Sequence, residues 1–279
     1  MVRDELAAPA IADELARGTA LLRGAGVETP RLDAELLLAW VLGVPRMELV
    51  LAVRDPVSPD AAGAYAQLLA RRAHGREPVA YLLGSKPFRR LSLTVDRRVL
   101  IPRPETELLV ELAISSLTAG ARVADVGTGS GAVALALADE RPDLTVTGID
   151  VSADALAVAR LNASRLALDV RFVQADLLDR EPYDAVVANL PYVALGAALE
   201  PEISLHEPAG ALFAGADGLD AIRRLVAVLT RRADVSLVGL EIAFDQADAV
   251  AGLLAGAGFG DVWRIRDLAG HERVIAGRR

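Results

Sequence analysis

The residues best equipped for chemistry in this 279-residue chain are Asn189, Leu190, Pro191 and Tyr192, which follow directly on the apolar run Tyr183 to Ala188. An apolar run that stops at Asn-x-Pro-Tyr sets an amide, backbone carbonyls and an aromatic ring at the carboxyl end of a buried strand. That rim is where open α/β sheets bind ligands. The group suits the positioning of a planar amino nitrogen, whose lone pair is delocalised and has to be turned towards an electrophile. The Asn189 side-chain oxygen and the Leu190 carbonyl can accept its two N–H bonds. Pro191 stiffens the turn and adds no competing donor, and Tyr192 offers a flat surface for the acceptor plane. Taken alone, the tetrapeptide fits a methyl acceptor site for adenine or for an amide, and it also fits an Asn-Pro turn beside a core tyrosine.

A donor site lies upstream. Ala121 to Val126 has a buried-strand pattern, followed by Gly127-Thr128-Gly129-Ser130-Gly131, a helical run from Ala132 to Ala138, and a second strand, Leu144 to Ile149, that ends in Asp150. An acid about 20 positions beyond a glycine turn is where βαβ sites hold ribose hydroxyls, so Asp150 is the expected acceptor for both. The glycines run G-x-G-x-G rather than G-x-G-x-x-G, which weakens a nicotinamide site but leaves it, and a plain tight turn, as alternatives. With Asp125 two residues ahead of the first glycine, the segment resembles the first motif of class I S-adenosylmethionine methyltransferases. The resemblance implies that Asp125 and the loop Gly127, Thr128, Gly129, Ser130 and Gly131 surround the methionine end. A third strand, Val170 to Gln174, precedes Asp176 and Leu177. In that fold Asp176 would bond the adenine amine and Leu177 would pack on its ring, with Asn189 closing the donor site.

The elements that must position these residues follow from periodicity. Ile11 to Leu22 has helical spacing, and Thr29-Pro30 and Ser58-Pro59 are helix starts in which the hydroxyl can cap and Pro fits the first turn. The first of these helices ends near Gly43, and Met47 to Val53 is a third short helix. Residues 1–84 therefore form a small helical domain without a catalytic constellation. Pro87-Phe88 and Leu91 to Val95 have strand character, with Arg97 to Leu100 as a hairpin return. Residues 85–104 are thus a β-hairpin linker, and residues 105–279 a catalytic domain opening with a helix from Thr106 or Glu105 through Leu117. Beyond Asn189 come a helix (Gly218 to Arg231), a strand (Val235 to Ile242), a helix (Gln246 to Ala257) and two edge strands (Phe259 to Arg266, Glu272 to Ala276). The fold class is α/β, a doubly wound seven-stranded sheet behind a helical domain.

Composition narrows the setting. Hydrophobic residues make up 53% of the chain, yet no apolar stretch is long enough to span a bilayer. The start Met1-Val-Arg-Asp-Glu-Leu6 lacks the basic-then-apolar pattern of a signal peptide, so a cytoplasmic location is expected. Zero cysteines and three scattered histidines predict no metal site. A net charge of −8 opposes stable nucleic-acid binding. Between Arg71 and Arg103, however, nine basic residues stand against two acidic ones, either a solvated face or a docking strip.

Longer motifs carry a closer resemblance. Pro78-Val-Ala-Tyr-Leu-Leu-Gly84, Leu100-Ile-Pro-Arg-Pro-Glu-Thr-Glu107, the glycine loop from Asp125, Asn162, the stretch His206-Glu-Pro-Ala-Gly-Ala-Leu-Phe-Ala-Gly-Ala-Asp-Gly218 and the tail Arg266-Asp-Leu-Ala-Gly-His-Glu-Arg273 together resemble the HemK/PrmC family over nearly the whole chain. The resemblance implies transfer of a methyl group from S-adenosyl-L-methionine, with S-adenosyl-L-homocysteine as product, to the glutamine amide in the Gly-Gly-Gln motif of class-1 peptide-chain release factors. It also implies that the helical domain helps engage that partner and that Asn189 to Tyr192 hold the amide. One position departs from the family's Asn-Pro-Pro-Tyr: Leu190 stands at the first proline. A carbonyl acceptor survives there, but the expected grip is less rigid. Asn-Leu-Pro-Tyr is also the form of ribosomal-RNA adenine dimethyltransferases, which makes RNA adenine the alternative acceptor. An S-adenosylmethionine-binding protein without catalysis is a third reading. Oligomeric state is not legible.

Overall fold

The computed structural model describes residues 8–279, so the acidic start that argued against export lies outside the described residues. The chain divides into two compact units: the described residues up to Gly84 together with Glu200–His206, and Ser85–Leu199 together with Glu207–Arg279.

The first unit is helical, with α1 (Ile11–Gly24), α2 (Pro30–Leu42), α3 (Glu48–Leu51), α4 (Pro59–Gly75), α5 (Val79–Leu83) and, from later in the chain, α9 (Pro201–His206). Its core is the apolar stripe of each helix, with Leu22, Leu37, Leu38, Tyr65 and Leu69 fully buried. Tyr65 donates to the Ala34 carbonyl at 3.2 Å, and Gly18 is small for a reason: a methyl group there would stand 2.2 Å from the Tyr65 oxygen. Ser58 caps α4 as expected, accepting from the Ala61 N–H at 3.3 Å. Thr29 does not cap α2; its hydroxyl donates to Asp33 Oδ1 at 2.8 Å. Gly43 ends α2 in the left-handed conformation that favours glycine.

Charge also holds this unit together. The buried Arg72 donates from Nε to Asp33 Oδ2 at 2.7 Å and from Nη1 to Glu202 Oε1 at 2.7 Å. Arg76 Nη2 donates to Glu202 Oε2 at 2.9 Å, and His206 Nε2 bonds the Gly75 carbonyl at 2.6 Å. Two bonded ends thus fix α9, a helix of six residues that has no buried side chain of its own.

In the second unit, β1 (Ser85–Phe88) and β2 (Leu91–Thr94) pair antiparallel with each other. Arg97 to Leu100 does not return as a strand. Phe88, Leu91 and Leu93 face inward and belong to the main core, so the hairpin packs as part of the second unit. A one-turn helix, Pro104–Thr106, leads into α6 (Glu107–Ser116). The remaining elements are β3 (Arg122–Val126), α7 (Ala132–Glu140), β4 (Thr145–Asp150), α8 (Ala153–Leu166), β5 (Arg171–Gln174), β6 (Ala185–Ala188), α10 (Asp220–Leu229), β7 (Leu237–Glu241), α11 (Ala247–Gly256), β8 (Asp261–Arg266) and β9 (Glu272–Arg278).

The sheet order is β5-β4-β3-β6-β7-β9-β8, parallel from β5 to β7 with β9 and β8 antiparallel. Buried runs such as Ala185–Ala188 and Leu237–Glu241 are what a parallel strand covered on both faces requires. One core, on the side of α6 and α7, holds Leu109, Leu135 and Leu137; the other, on the side of α10 and α11, holds Leu225, Val250 and Phe259.

Most of the arginines between positions 71 and 103 are engaged within the chain, some buried and some at the surface. Carboxylates of the chain itself take up Arg71 (Glu77), Arg72 and Arg76 (Glu202), Arg89 (Glu140 and Glu111), Arg90 (Asp139), Arg98 (Asp96) and Arg103 (Glu207). Among them Arg72 carries the largest consequence. Arg72→Met leaves Asp33 and Glu202 facing the lost guanidinium, and breaking a buried pair costs about 3–5 kcal/mol. Urea unfolding should therefore show a midpoint well below wild type.

Candidate active site

Strand order places the site before any side chain is considered. β3 ends at Val126, β4 at Asp150, β5 at Gln174 and β6 at Ala188, all on one rim. The chain winds from β3 towards β4 on one side and towards β6 on the other, so the crevice above β3 and β6 is the topological switch point. Gly127 and Asn189 sit on its two sides. A cavity of about 660 Å³ opens there, within the roughly 300–1,000 Å³ of small-molecule sites. Its walls include Asp125, Gly127, Thr128, Gly129, Ser130, Asp150, Asp176, Leu177, Asn189, Leu190 and Pro191. Of the residues singled out from the sequence, Gly131 and Tyr192 lie off this wall.

The three glycines of the loop do different work. Gly127, at φ +76°, is small because a methyl group there would meet Leu190 Cδ2 at 3.1 Å and the Asn189 carbonyl at 3.2 Å. It lets the tetrapeptide close over the loop. Gly129, at φ +55°, would point a methyl group into open space, its nearest neighbour the Gly127 carbonyl at 3.9 Å. That space is the room a ligand needs to approach the backbone. Gly131 starts α7 at φ +83°, and a methyl group there would press on Leu135, Ala159 and Phe172 at 3.0–3.3 Å. Its smallness serves helix packing.

Two carboxylates hold the loop. Asp125 Oδ2 accepts from Thr128 Oγ1 at 2.6 Å and from the Ala134 N–H at 3.1 Å. Burial pushes the Asp125 carboxyl up to about 6, against the opposing pull of those two bonds. Asp150 accepts from the Gly129 N–H at 2.9 Å through Oδ2 and from the Ser152 N–H at 2.9 Å through Oδ1. Each oxygen retains a lone pair for hydroxyl donors. Asp176, also in the cavity wall, pairs with Arg224 and is exposed. Acceptors at 150 and 176, an apolar Leu177 in the same wall and an open backbone at Gly129 suit a nucleoside with a charged tail. The residues therefore fit S-adenosylmethionine.

The tetrapeptide is fixed from several directions. Asn189 Nδ2 donates to Thr106 Oγ1 at 3.0 Å, leaving the amide oxygen as the acceptor. Leu190 is buried in the core beside β3 and β6. Its side chain thus fills apolar space at the position of the family's first proline. The Tyr192 carbonyl accepts from Gln246 Nε2 at 3.0 Å, with Gly218 close below. The chain then zips onto the motif that follows, Val193 N–H to the Leu212 carbonyl at 2.9 Å and Ala214 N–H to the Val193 carbonyl at 2.9 Å. The Tyr192 hydroxyl donates to Glu241 Oε1 at 3.3 Å.

Several working residues had no role in the sequence reading. Thr106 belongs to the Ile101-Pro-Arg-Pro-Glu-Thr-Glu107 segment. That segment is pinned by the buried Glu207, which accepts from the Ile101 N–H at 3.1 Å and pairs with Arg103. Asn162, fully buried, bonds both Thr94 backbone groups at 2.7 and 3.0 Å and the Ser130 carbonyl at 3.0 Å, so it ties the hairpin to the glycine loop. Phe213, Ala214 and Gly215 complete the wall. The signal was present as two motifs quoted for their resemblance, but their partners lie about 100 residues away.

A family model described as the PrmC N-terminal domain matches residues 13–84, and one described as a methyltransferase small domain matches residues 104–212. Three proteins named release factor glutamine methyltransferase are similar over most of their length. That of Bordetella pertussis is 44% identical, covering 89% of this chain and 94% of its own. That of Mycolicibacterium smegmatis is 41% identical (94% and 95%), and that of Caulobacter vibrioides 39% (92% and 92%). Among solved structures, the hMettl16 catalytic domain with a MAT2A 3′UTR hairpin aligns at TM-score 0.54 and 15% identity, over 79% of this chain and 82% of that one. A methyltransferase from Pyrococcus furiosus aligns at 0.52 and 15%, over 78% and 98%. At such identities the likeness concerns the fold alone: the seven-stranded sheet is that of class I methyltransferases. Among the described residues no helix is long and apolar enough to cross a membrane.

Burial of Asp125 has a measurable consequence. A carboxyl raised from 3.8 to about 6 in the native state contributes stability that is present below the lower value and lost as pH rises through the upper one. Asp125→Asn does not titrate. The melting temperature of wild type relative to Asp125→Asn should therefore fall as pH rises from about 4 to about 6 and level off above.

Proposed function

The chain belongs to the release factor glutamine methyltransferase family, and from that premise we propose that it methylates the side-chain amide nitrogen of the Gly-Gly-Gln glutamine in class-1 peptide-chain release factors. The observation that carries the reading is the Asn189 amide, tied by its nitrogen to Thr106 so that its oxygen is the acceptor at the mouth of the donor cavity. S-adenosylmethionine supplies an electrophilic methyl group when bound.

The chain's own residues do the rest. Asn189 Oδ1 and the Leu190 carbonyl accept the two amide N–H bonds of the glutamine and turn its nitrogen towards the glycine loop. Such positioning is the main requirement for an in-line displacement by a weak nucleophile. Pro191 has no N–H with which to compete for the glutamine oxygen, and the half-buried Tyr192 ring flanks the amide plane. The nitrogen lone pair forms the new N–C bond, the electrons of the breaking S–C bond stay on sulfur, and one amide proton passes to water. No strong base is required.

The helical unit, residues 8–84 with α9, is assigned to partner engagement, and a cytoplasmic location accords with that substrate. Pairing of most of the arginine strip with the chain's own carboxylates weakens the RNA reading, which then rests on Leu190 alone.

Incubation with labelled S-adenosylmethionine, a class-1 release factor and ribosomal RNA tests the reading. The expected result is label on the Gly-Gly-Gln glutamine, located by peptide mapping; label only in RNA overturns it. Asn189→Ala should lower transfer by about a hundredfold or more while S-adenosylmethionine still binds. Wild-type turnover in that variant would rule out the clamp.

A further inference from the structure

The carboxyl rim of the sheet divides between two tasks. β3 runs into the glycine loop, β4 ends at Asp150 and β5 leads to Asp176 and Leu177, all in the wall of the donor cavity. On the other side of the tetrapeptide the rim continues over the end of β7 to the edge pair β9 and β8. β9 runs antiparallel to β7, so the turn between β8 and β9, residues 267–271, lies on this same rim. The Ile242 N–H, donating to the Arg273 carbonyl at 2.9 Å, joins the two ends there. An acceptor glutamine belongs to a polypeptide. Its side chain reaches the clamp at Asn189, and the main chain beside it has to cross the part of the rim that the donor leaves open.

That part carries an apolar surface. Phe244, just past β7, is 60% exposed, and Leu268, in the β8–β9 turn, is fully exposed. The exposed His271 sets its ring 5.5 Å from that of Phe244, the planes tilted by 47°. A single exposed leucine is ordinary; two rigid turns, one of them bonded to the clamp, are not. Phe244 and Asp245 occupy a turn closed by the Gln246 N–H on the Ala243 carbonyl at 3.0 Å and by the Ala243 N–H on Gln246 Oε1 at 3.0 Å. The nitrogen of the same buried amide donates to the Tyr192 carbonyl at 3.0 Å and to the Asp217 carbonyl at 3.2 Å. Gln246 therefore sets Phe244 and the tetrapeptide in one fixed frame. In the second turn the Asp267 carboxylate accepts from the His271 N–H and from Arg273 Nε, both at 2.9 Å.

A ring held out on a rigid turn loses little freedom when it is covered, which favours it as an anchor for a partner. The neighbouring charges are taken up by one another: Arg273 by Asp267, Arg266 by Glu272, and Arg264 by Glu272 and Asp248. The surface thus offers apolar contact rather than a cation for a phosphate. We propose that Phe244, Leu268 and His271 form the subsite for the acceptor's main chain beside the glutamine, with Phe244 as its anchor. The occupant is an uncharged segment of small residues in the release factor. The Gly-Gly of the methylated motif is such a segment, since glycine lets peptide planes approach a ring closely. This rests on the proposed function and states where its protein substrate docks.

Steady-state kinetics with a full-length class-1 release factor and saturating S-adenosylmethionine test the subsite. Phe244→Ala should raise KM for the factor about tenfold. Its kcat should stay within about twofold of wild type, because the contact is made equally before and during transfer. Leu268→Asp, at a position too exposed to disturb the fold, should raise KM about threefold or more. Both variants should bind S-adenosylmethionine as wild type does and melt at the same temperature; if Phe244→Ala melts lower, Leu268→Asp decides. A double variant with wild-type KM overturns the inference. So does one that loses kcat at unchanged KM, which would make the Phe244 turn a mere support for Tyr192. A wild-type enzyme that labels only RNA overturns the proposed function instead, and the inference with it.

Discussion

A single hydrogen bond, 3.0 Å from the Asn189 amide nitrogen to the Thr106 hydroxyl, decides what the rim of the sheet can do. With the nitrogen tied down, the oxygen is the atom of the amide left to accept an N–H. With the amide reversed, the same side chain would present donors and repel it. The placement of Thr106 therefore matters as much as that of Asn189. The segment carrying it is extended by two prolines and held by Glu207, which bonds the Ile101 N–H and the Arg103 guanidinium. A residue more than 100 positions downstream thus supports the orientation of the amide.

The donor side obeys a second constraint, the closeness of two loops at the switch point. A methyl group on Gly127 would crowd Leu190 and the Asn189 carbonyl at 3.1 and 3.2 Å. The glycine loop and the tetrapeptide are consequently one packed object. Leu190 fits this arrangement by filling apolar space where the family has proline.

The alternation of strands and helices from Ala121 onward was readable because each parallel strand is an apolar run and each covering helix keeps its 3.6 spacing. The loops that end those strands were readable for the same reason, which put Asp125, Asp150, Asp176 and Asn189 on one rim. What escaped was structure created by distant contacts. Helices α5 and α9 are five and six residues long, too short to show a period, and α9 is held by Arg72, Arg76 and the Gly75 carbonyl. The hairpin return was misplaced because Lys86-Pro87 interrupts the alternation of β1. Thr106, Asn162 and Glu207 act through partners 32 to 106 positions away, which no local pattern encodes. Glu241 was hidden inside an apolar run, where a lone acid looks like a strand end.

The central claim is geometric: two acceptors of the tetrapeptide hold one glutamine amide at the mouth of the donor cavity. A crystal structure of the chain with S-adenosylhomocysteine and a Gly-Gly-Gln peptide tests it most directly. The account predicts the glutamine amide nitrogen within about 3 Å of both Asn189 Oδ1 and the Leu190 carbonyl, with its face turned to the sulfur. A glutamine amide bound to other groups, or an Asn189 that donates rather than accepts, would contradict it.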